Sequence, residues 1–590
     1  MRLKEIAMQA RINRKNNKLV FNVVISIFLI LVFYFLVAFV LLPNISIFKT
    51  SFIHKGQFSF TAIDKIFKSK RAIDALKNSF LMALTLPITV SIIGIIQVLF
   101  IDYFDIKGSK ILKLTYLIPL VFGGLVINNG YIFAYGPNGI FTNLIANFNP
   151  DIDRYRFLGY HAALIGMTFG CTTNYMLFFR NSLSGIDYHT VEAAKNLGAS
   201  QWTILTKVVF PQVRPMIITC IVLLFQQGLA AFSAPLILGG KNFQTISPLI
   251  LTLANRPTSR DIAAILALLQ GIFQIGVLLI VQRMEKGKNY LSISKTKANL
   301  KKQKIKNKGT NVLMHFIAYL LALLNFIPFA CVLLFSFTDY QTIGSGKISL
   351  SSFTIKNYAR VLKDPSAYGP FLTSVAYAAL AAIIVAIICI GVGRIKQKHD
   401  NIFTKFLEIM IYIPWILPSI LFALGLIILY GSPQFWVGNK VLTGTLVIML
   451  IAYIVTLMPN TYRFIKASYS GVQQDLEDAA ANLGASKLYT FFKIVLPVIM
   501  PTVLAMLALN FNSRLSEYEI SSFLFHPLKP TLGIVIRTNA DPTSAIDAKA
   551  INLVYSTILI FISILVVWMV YYDGVNSIKR IFKRSKKDKK

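Results

Sequence analysis

Few side chains in this sequence can carry a negative charge: 24 Asp and Glu stand against 60 Lys and Arg in 590 residues. Charged residues of either sign are only 14% of the chain, against about a quarter in an ordinary soluble protein. That shortage excludes a soluble globular enzyme of usual composition. Cysteine is equally scarce. Cys171, Cys220, Cys331 and Cys389 each lie in an apolar run and form no CxxC pair, so neither a disulfide framework nor a zinc site is expected. They read as small buried hydrophobes. The six histidines have no metal-ligand spacing, and no nucleophile–base arrangement is visible. No metal site, no cofactor and no catalytic residues are therefore expected in this chain.

Apolar length is what the sequence has in abundance. Hydrophobic residues reach 55%, and many runs attain the roughly 20 residues a bilayer-spanning helix needs. The runs are continuous rather than alternating, which favours helices over a barrel. The expected fold is all-α, a polytopic membrane protein of about twelve spans. They fall near 21–42, 79–101, 111–134, 158–179, 212–235 and 261–282, then 312–336, 371–393, 405–430, 442–462, 501–525 and 551–572. The first run is too long for a signal-peptide core and lacks a small-residue cleavage site, so it reads as a retained helix. A net charge of +36 would suggest nucleic acid in a soluble protein. Here the basic residues gather in tails and loops, where they set orientation, so the expected partner is the lipid bilayer and not nucleic acid.

Basic residues are densest before the first span, at 283–311 and after the last span. An even number of spans puts these three segments on one side, the cytoplasmic one. The division that follows is a first half at 1–283, a basic linker at 284–311 and a second half at 312–590. The linker reads as solvated, with contact to anionic lipid heads as the sharper alternative. Halves of the same orientation make parallel repeats.

The repeat is visible directly. Aligning 192–215 with 478–501, an offset of 286, gives 11 identities in 24 positions without a gap. Each copy is a polar island between apolar runs: Glu192-Ala193-Ala194, Gly198 and Pro211, then Asp478-Ala479-Ala480, Gly484 and Pro497. The island reads as a helix–turn–helix under the membrane. The acid suits a helix N-terminus, the Ala pair lets another surface approach, and the glycine permits a turn at φ > 0. The proline opens the next span.

At these residues the sequence resembles the permease subunits of bacterial binding-protein-dependent ABC importers, the MetI-like type I family. That signature runs Glu-Ala-Ala, three residues, Gly, nine residues, an aliphatic, any residue, a large apolar residue and Pro. Both copies follow it, the second with Asp478 for Glu. The resemblance implies that the islands are coupling helices, each seated in a groove of an ABC ATPase present in two copies. It also implies an extracellular or periplasmic solute-binding protein, and a multi-pass protein of the bacterial cell membrane with both termini cytoplasmic. The nearest string to a P-loop, Gly344-Ser345-Gly346-Lys347-Ile348, lacks the first glycine and the Ser or Thr that binds magnesium. The chain is therefore expected to be a transport subunit without its own ATPase.

Two further stretches are similar to the ferric-iron branch of that family, with aminoalkylphosphonate and thiamine permeases nearby. One is Ala231-Phe232-Ser233-Ala234-Pro235 to Gly240, with Ala231 in place of an acid; the other is Glu517-Tyr518-Glu519 to His526-Pro527. The resemblance implies ferric iron as the first-choice solute, with organophosphonate, thiamine or polyamine as alternatives. Polar residues in membrane spans mark pathways by default. Gln226 and Gln227, with Asn512, Arg514, Glu517 and Glu519, are the pathway candidates, and Asn174, Gln270 and Gln274 are weaker ones. Arg514 and Glu517, three apart, can instead pair on one helix face. A secondary transporter would need membrane acids or bases for ion coupling and no docking island; a membrane-embedded enzyme would need a convergent catalytic set.

Overall fold

The structure is a computed structural model that describes residues 23–571 apart from 55, 122–123, 241–242, 286–300, 306, 347 and 542–543. Both basic tails and most of the linker, with its proposed lipid contact, lie outside the described residues. Among the described residues ten helices are long and apolar enough to cross a membrane, eleven if a bent pair is one span. That pair, Ile402–Ile416 and Ser419–Tyr430, bends by 107°, where the span near 405–430 was expected to be one helix. Leu417 is extended (ψ 146°), as a residue before proline prefers to be. In the first half the corresponding place is taken by Ser109–Val121 and Gly124–Tyr135. The all-α expectation holds: the one sheet among the described residues pairs Ile53–His54 with Gln57–Phe58.

The two halves interlock through their first spans. The end of the first span, Leu42–Phe52, packs on Ser419–Tyr430 of the second half, and Lys308–Ser336 packs on Ser109–Val121 and Gly124–Tyr135 of the first. Each crossing depends on a glycine. A Cβ on Gly425 would stand 2.7 Å from the Pro43 carbonyl oxygen, and one on Gly130 would stand 2.5 Å from that of Pro328. Without a lateral hydrophobic drive in lipid, helices associate by such close backbone approach. Tyr430 and Tyr116 each donate a hydroxyl across the halves, to the Ala38 and Ala318 carbonyls, at 2.7 Å.

Away from the islands the two halves are fastened in the same way. Short helices Thr61–Lys68 and Lys356–Lys363 are tied to the first turns of the last spans of their halves. Lys65 pairs with Asp261 at 2.7 Å and Arg360 with Asp547 at 3.0 Å. Ser79 and Ser374 each accept a backbone N–H at 2.8 Å, from Ile246 and Leu532. These matches sit at an offset of 295 in the earlier member and 286 in the later one. A search at one offset passes over them.

The islands are held differently. The second-half helix Gln474–Asn482 buries Glu477 against Arg394 at 2.6 Å and Lys398 at 2.9 Å. In the first half the equivalent position is the fully buried Val191, and part of the linker supplies the tie. Gln303 donates its N–H to the Tyr103 carbonyl at 2.7 Å and accepts from Asp105 N–H at 3.0 Å. Gln201 and Lys195 reach Lys304 and Gln303 respectively. Residues 301–305 are thus attached to the first half through Gln303 and the Lys304 carbonyl, while Lys301, Lys302 and Lys304 are exposed.

Two outcomes follow. Gly425→Ala and Gly130→Ala each force a backbone shift and should destabilise the protein by about 1–3 kcal/mol, read as a lowered thermal midpoint in detergent. Gly276→Ala, with nothing within 4 Å of its Cβ, should not. The second concerns Glu477, whose carboxyl the Arg394 guanidinium beside it holds down at about 2, from an ordinary 4.5. A lowered folded-state value means that the tie is fully present above pH 4.5 and is lost as pH falls toward 2. Amide protection over 474–482, taken relative to the intrinsic exchange rate at each pH, should therefore fall through that window. Glu477→Gln should exchange fast at neutral pH, a loss of about 2 kcal/mol, with no acid dependence left.

Candidate coupling surface and solute pathway

Each island is a nine-residue helix, a turn and a second helix. The first helix is Tyr188–Asn196 in one half and Gln474–Asn482 in the other. Glu192 and Asp478 are the fifth residues of these helices, not N-terminal ones; Asp187 is the cap that accepts from His189 N–H. Both acids are exposed, Glu192 with His189 at 3.6 Å and Asp478 accepting from Gln474 at 3.0 Å. The alanine pair divides: Ala193 and Ala479 are exposed, while Ala194 and Ala480 pack inward. Gly198 and Gly484 take φ of 81° and 82°, where a side chain is strained. Ser200 and Ser486 then cap the second helix.

Pro211 and Pro497 do not open the next spans. The helices run unbroken from Gln201 to Leu229 and from Lys487 to Leu515, against expected spans of 212–235 and 501–525. A proline inside an α-helix lacks an N–H and clashes with the carbonyl four residues back. Here a π-turn lies immediately before it, Leu205–Val209 and Phe491–Val495, widening the helix where the ring must fit. The first span repeats the device, with Val37–Leu41 before Pro43. Each island is therefore the foot of a continuous rod.

The other ends of the two rods meet at a cavity of about 590 Å³. It gathers Gln226, Gln227, Glu517 and Glu519, and also the weaker candidates Asn174 and Gln274. Among the described residues its lining includes no Lys, Arg or His. Asn512 and Arg514 are not in its lining. Asn512 accepts from Ser563 at 2.6 Å, and Arg514 donates to Thr456 at 3.1 Å with its guanidinium 5.2 Å from the Tyr453 ring centre. The Arg514–Glu517 pair does not form, because the helix ends at Leu515. Glu517 instead accepts the backbone N–H groups of Ile520 (2.6 Å) and Ser521 (3.1 Å). Gln270 binds Ser247 at 3.0 Å and has a packing role.

Sequence reasoning passed over three features of this site. Leu197 and Leu483, identical in the alignment, are each 89% exposed at the tips of the islands. Their signal was an apolar identity in a polar stretch. Glu477 carried no signal, since its mate is Val191. Phe232 and Tyr518 stack with ring centres 5.7 Å apart and planes at 23°; extending the offset of 286 beyond the island pairs them.

The family model described as binding-protein-dependent transport system inner membrane component matches residues 378–577. A probable ABC transporter permease protein, y4fN of Sinorhizobium fredii, is 34% identical over 543 residues, 91% of this chain and 94% of that protein. The ferric transport system permease protein FbpB of Actinobacillus pleuropneumoniae is 22% identical over 86% of this chain and 72% of its own length. A putative 2-aminoethylphosphonate transport system permease protein, PhnV of Salmonella typhimurium, is 24% identical over 40% of this chain and 86% of its length. With interlocked membrane halves, two matched islands and a full-length relative of this identity, the chain belongs to the ABC transporter permeases of binding-protein-dependent transport.

Proposed function

We propose that the chain is the whole membrane channel of an importer, with 1–283 and 312–590 as its two halves and 284–311 as a cytoplasmic linker. Both termini face the cytoplasm of a bacterial cell. It contains no ATPase; two copies of a separate ABC ATPase dock on the islands, and an external binding protein delivers the solute. The observation that carries this reading is the pair of matched tips, Leu197 beside Gly198 and Leu483 beside Gly484, apolar and 89% exposed, at the feet of unbroken rods. An exposed leucine in a polar helix–turn–helix is what a partner groove would bury. Glu192, Ala193, Asp478 and Ala479 flank the tips; Ala194, Ala480, Pro211 and Pro497 serve the packing and the continuity behind them.

The solute is a small polar one, ferric iron first. The FbpB relative supports iron, and so do the carboxyl groups of Glu517 and Glu519 in the cavity lining. Carboxyl oxygens suit a cation better than a phosphonate anion. Polyamine remains the cationic alternative and thiamine a further one. An ion-driven secondary transporter would leave the exposed tips without a role.

Gly198→Trp and Gly484→Trp should each lower binding-protein-stimulated ATP hydrolysis and uptake in vesicles at least about tenfold, since a bulky residue strains the turn and blocks the groove. Unchanged stimulation and uptake would refute the coupling role. A deletion strain should grow poorly on limiting iron and normally on phosphonate as the phosphorus source; the reverse pattern would remove iron as the solute.

A further inference from the structure

The rods that rise from the islands end at one pair of aromatic rings, and we infer that this pair, Phe232 and Tyr518, is the gate of the pathway. The inference rests on the coupling role of the islands and adds the place where the path is shut. Both rings line the cavity. Each follows the last turn of its rod, Phe232 after Leu229 and Tyr518 after Leu515, at the same place in the repeat. They stack on one another, ring centres 5.7 Å apart and planes at 23°. Each half supplies one ring, so movement of the halves relative to one another parts the pair. Other rings also meet across the halves, Phe39 with Tyr430 and Phe133 with Phe335, but among the described residues Phe232 and Tyr518 are the aromatic ones that line the cavity.

The lever is long enough. Each rod has 29 residues, about 43 Å at 1.5 Å per residue. A tilt of about 10° displaces one end from the other by roughly 7 Å, more than the present ring separation. A stacked apolar pair excludes a hydrated solute; parted, it opens a passage beside Ala231, Ser233, Glu517 and Glu519, which line the same cavity. In this arrangement the closed gate lies at the rod ends remote from the islands. Movement of the islands on ATPase closure is delivered there.

The test is a cross-link that responds to nucleotide. Cys171, Cys220, Cys331 and Cys389 are replaced by Ala, Phe232→Cys and Tyr518→Cys are introduced, and a protease site is placed within 286–300. The full chain is reconstituted with its ATPase and binding protein and treated with a short bifunctional methanethiosulfonate, which spans the gap left by two facing rings that a direct disulfide would not. The linker then keeps the two protease fragments together on a gel. The expected result is efficient cross-linking without nucleotide and a yield at least threefold lower after trapping with ATP and vanadate. The cross-linked resting protein should lose stimulated hydrolysis at least tenfold and regain it on reduction. No cross-link at rest, or a yield indifferent to trapping, overturns the gate. The cysteine-free parent, with Phe232 and Tyr518 intact, reports the coupling role separately: absent stimulation there faults that role, and the gate falls with it. As a second measurement, Phe232→Ala with Tyr518→Ala should raise hydrolysis without binding protein about three- to tenfold, the population shift expected from losing one stacked pair. Unchanged basal hydrolysis contradicts the gate.

Discussion

Two prolines interrupt the hydrogen-bond ladder of each rod, Pro211 and Pro215 in one and Pro497 and Pro501 in the other, and the architecture depends on the helix running through both. Pro215 and Pro501 lie in α-helical turns; before Pro211 and Pro497 an α-helical turn would bring the ring against a carbonyl, at a cost of about 3 kcal/mol. The π-turns at Leu205–Val209 and Phe491–Val495 avoid that collision, with Phe210 N–H bonded to the Leu205 carbonyl and Leu496 N–H to that of Phe491. The second helix of each island and the span therefore form one body, to which the tip and first helix join through the turn at Gly198 or Gly484. Had the helix broken there, the island would be a tethered loop, and force applied to it would dissipate in the tether.

Pseudo-symmetry accounts for most of what surrounds the rods. The glycine crossings at Gly130 and Gly425, the ion pairs Lys65–Asp261 and Arg360–Asp547 and the serine ties at Ser79 and Ser374 all come in twos. Departures from it collect at the island and the cavity. One island is tied by a buried carboxylate between two bases, the other by an apolar residue and the attached segment 301–305. At the cavity, the matched positions hold Ala231 and Ser233 in one half and the acids Glu517 and Glu519 in the other. A fused chain can hold such differences because each half always meets the same partner, whereas two identical subunits could not.

The fold class and the islands were legible in the sequence because they rest on local signals: apolar length, and identities at one fixed offset. Gln226, Gln227, Glu517 and Glu519 were found because polarity in an apolar span is itself a signal. Boundaries were missed where tertiary geometry decides. A proline reads as a helix start, and nothing local announces the π-turn that lets the helix continue through it. Asn512 and Arg514 carry the same polarity as the lining residues but point to Ser563 and Thr456; direction around a helix whose end is unknown cannot be read from spacing. The interlocked first spans depend on contacts between residues almost 400 apart, such as Tyr430 with Ala38.

The central claim is that the second helix of each island and the cavity end of its span move as one body. Spin-label distances test it directly, measured for the pair 207 and 493 at the feet of the rods, exposed and clear of the docking tips, and for the pair 230 and 516 at the cavity, with and without ATP–vanadate trapping in the reconstituted transporter. The rigid-rod account predicts that both distances change in the same nucleotide state. A change between the feet with no change at the cavity would contradict it.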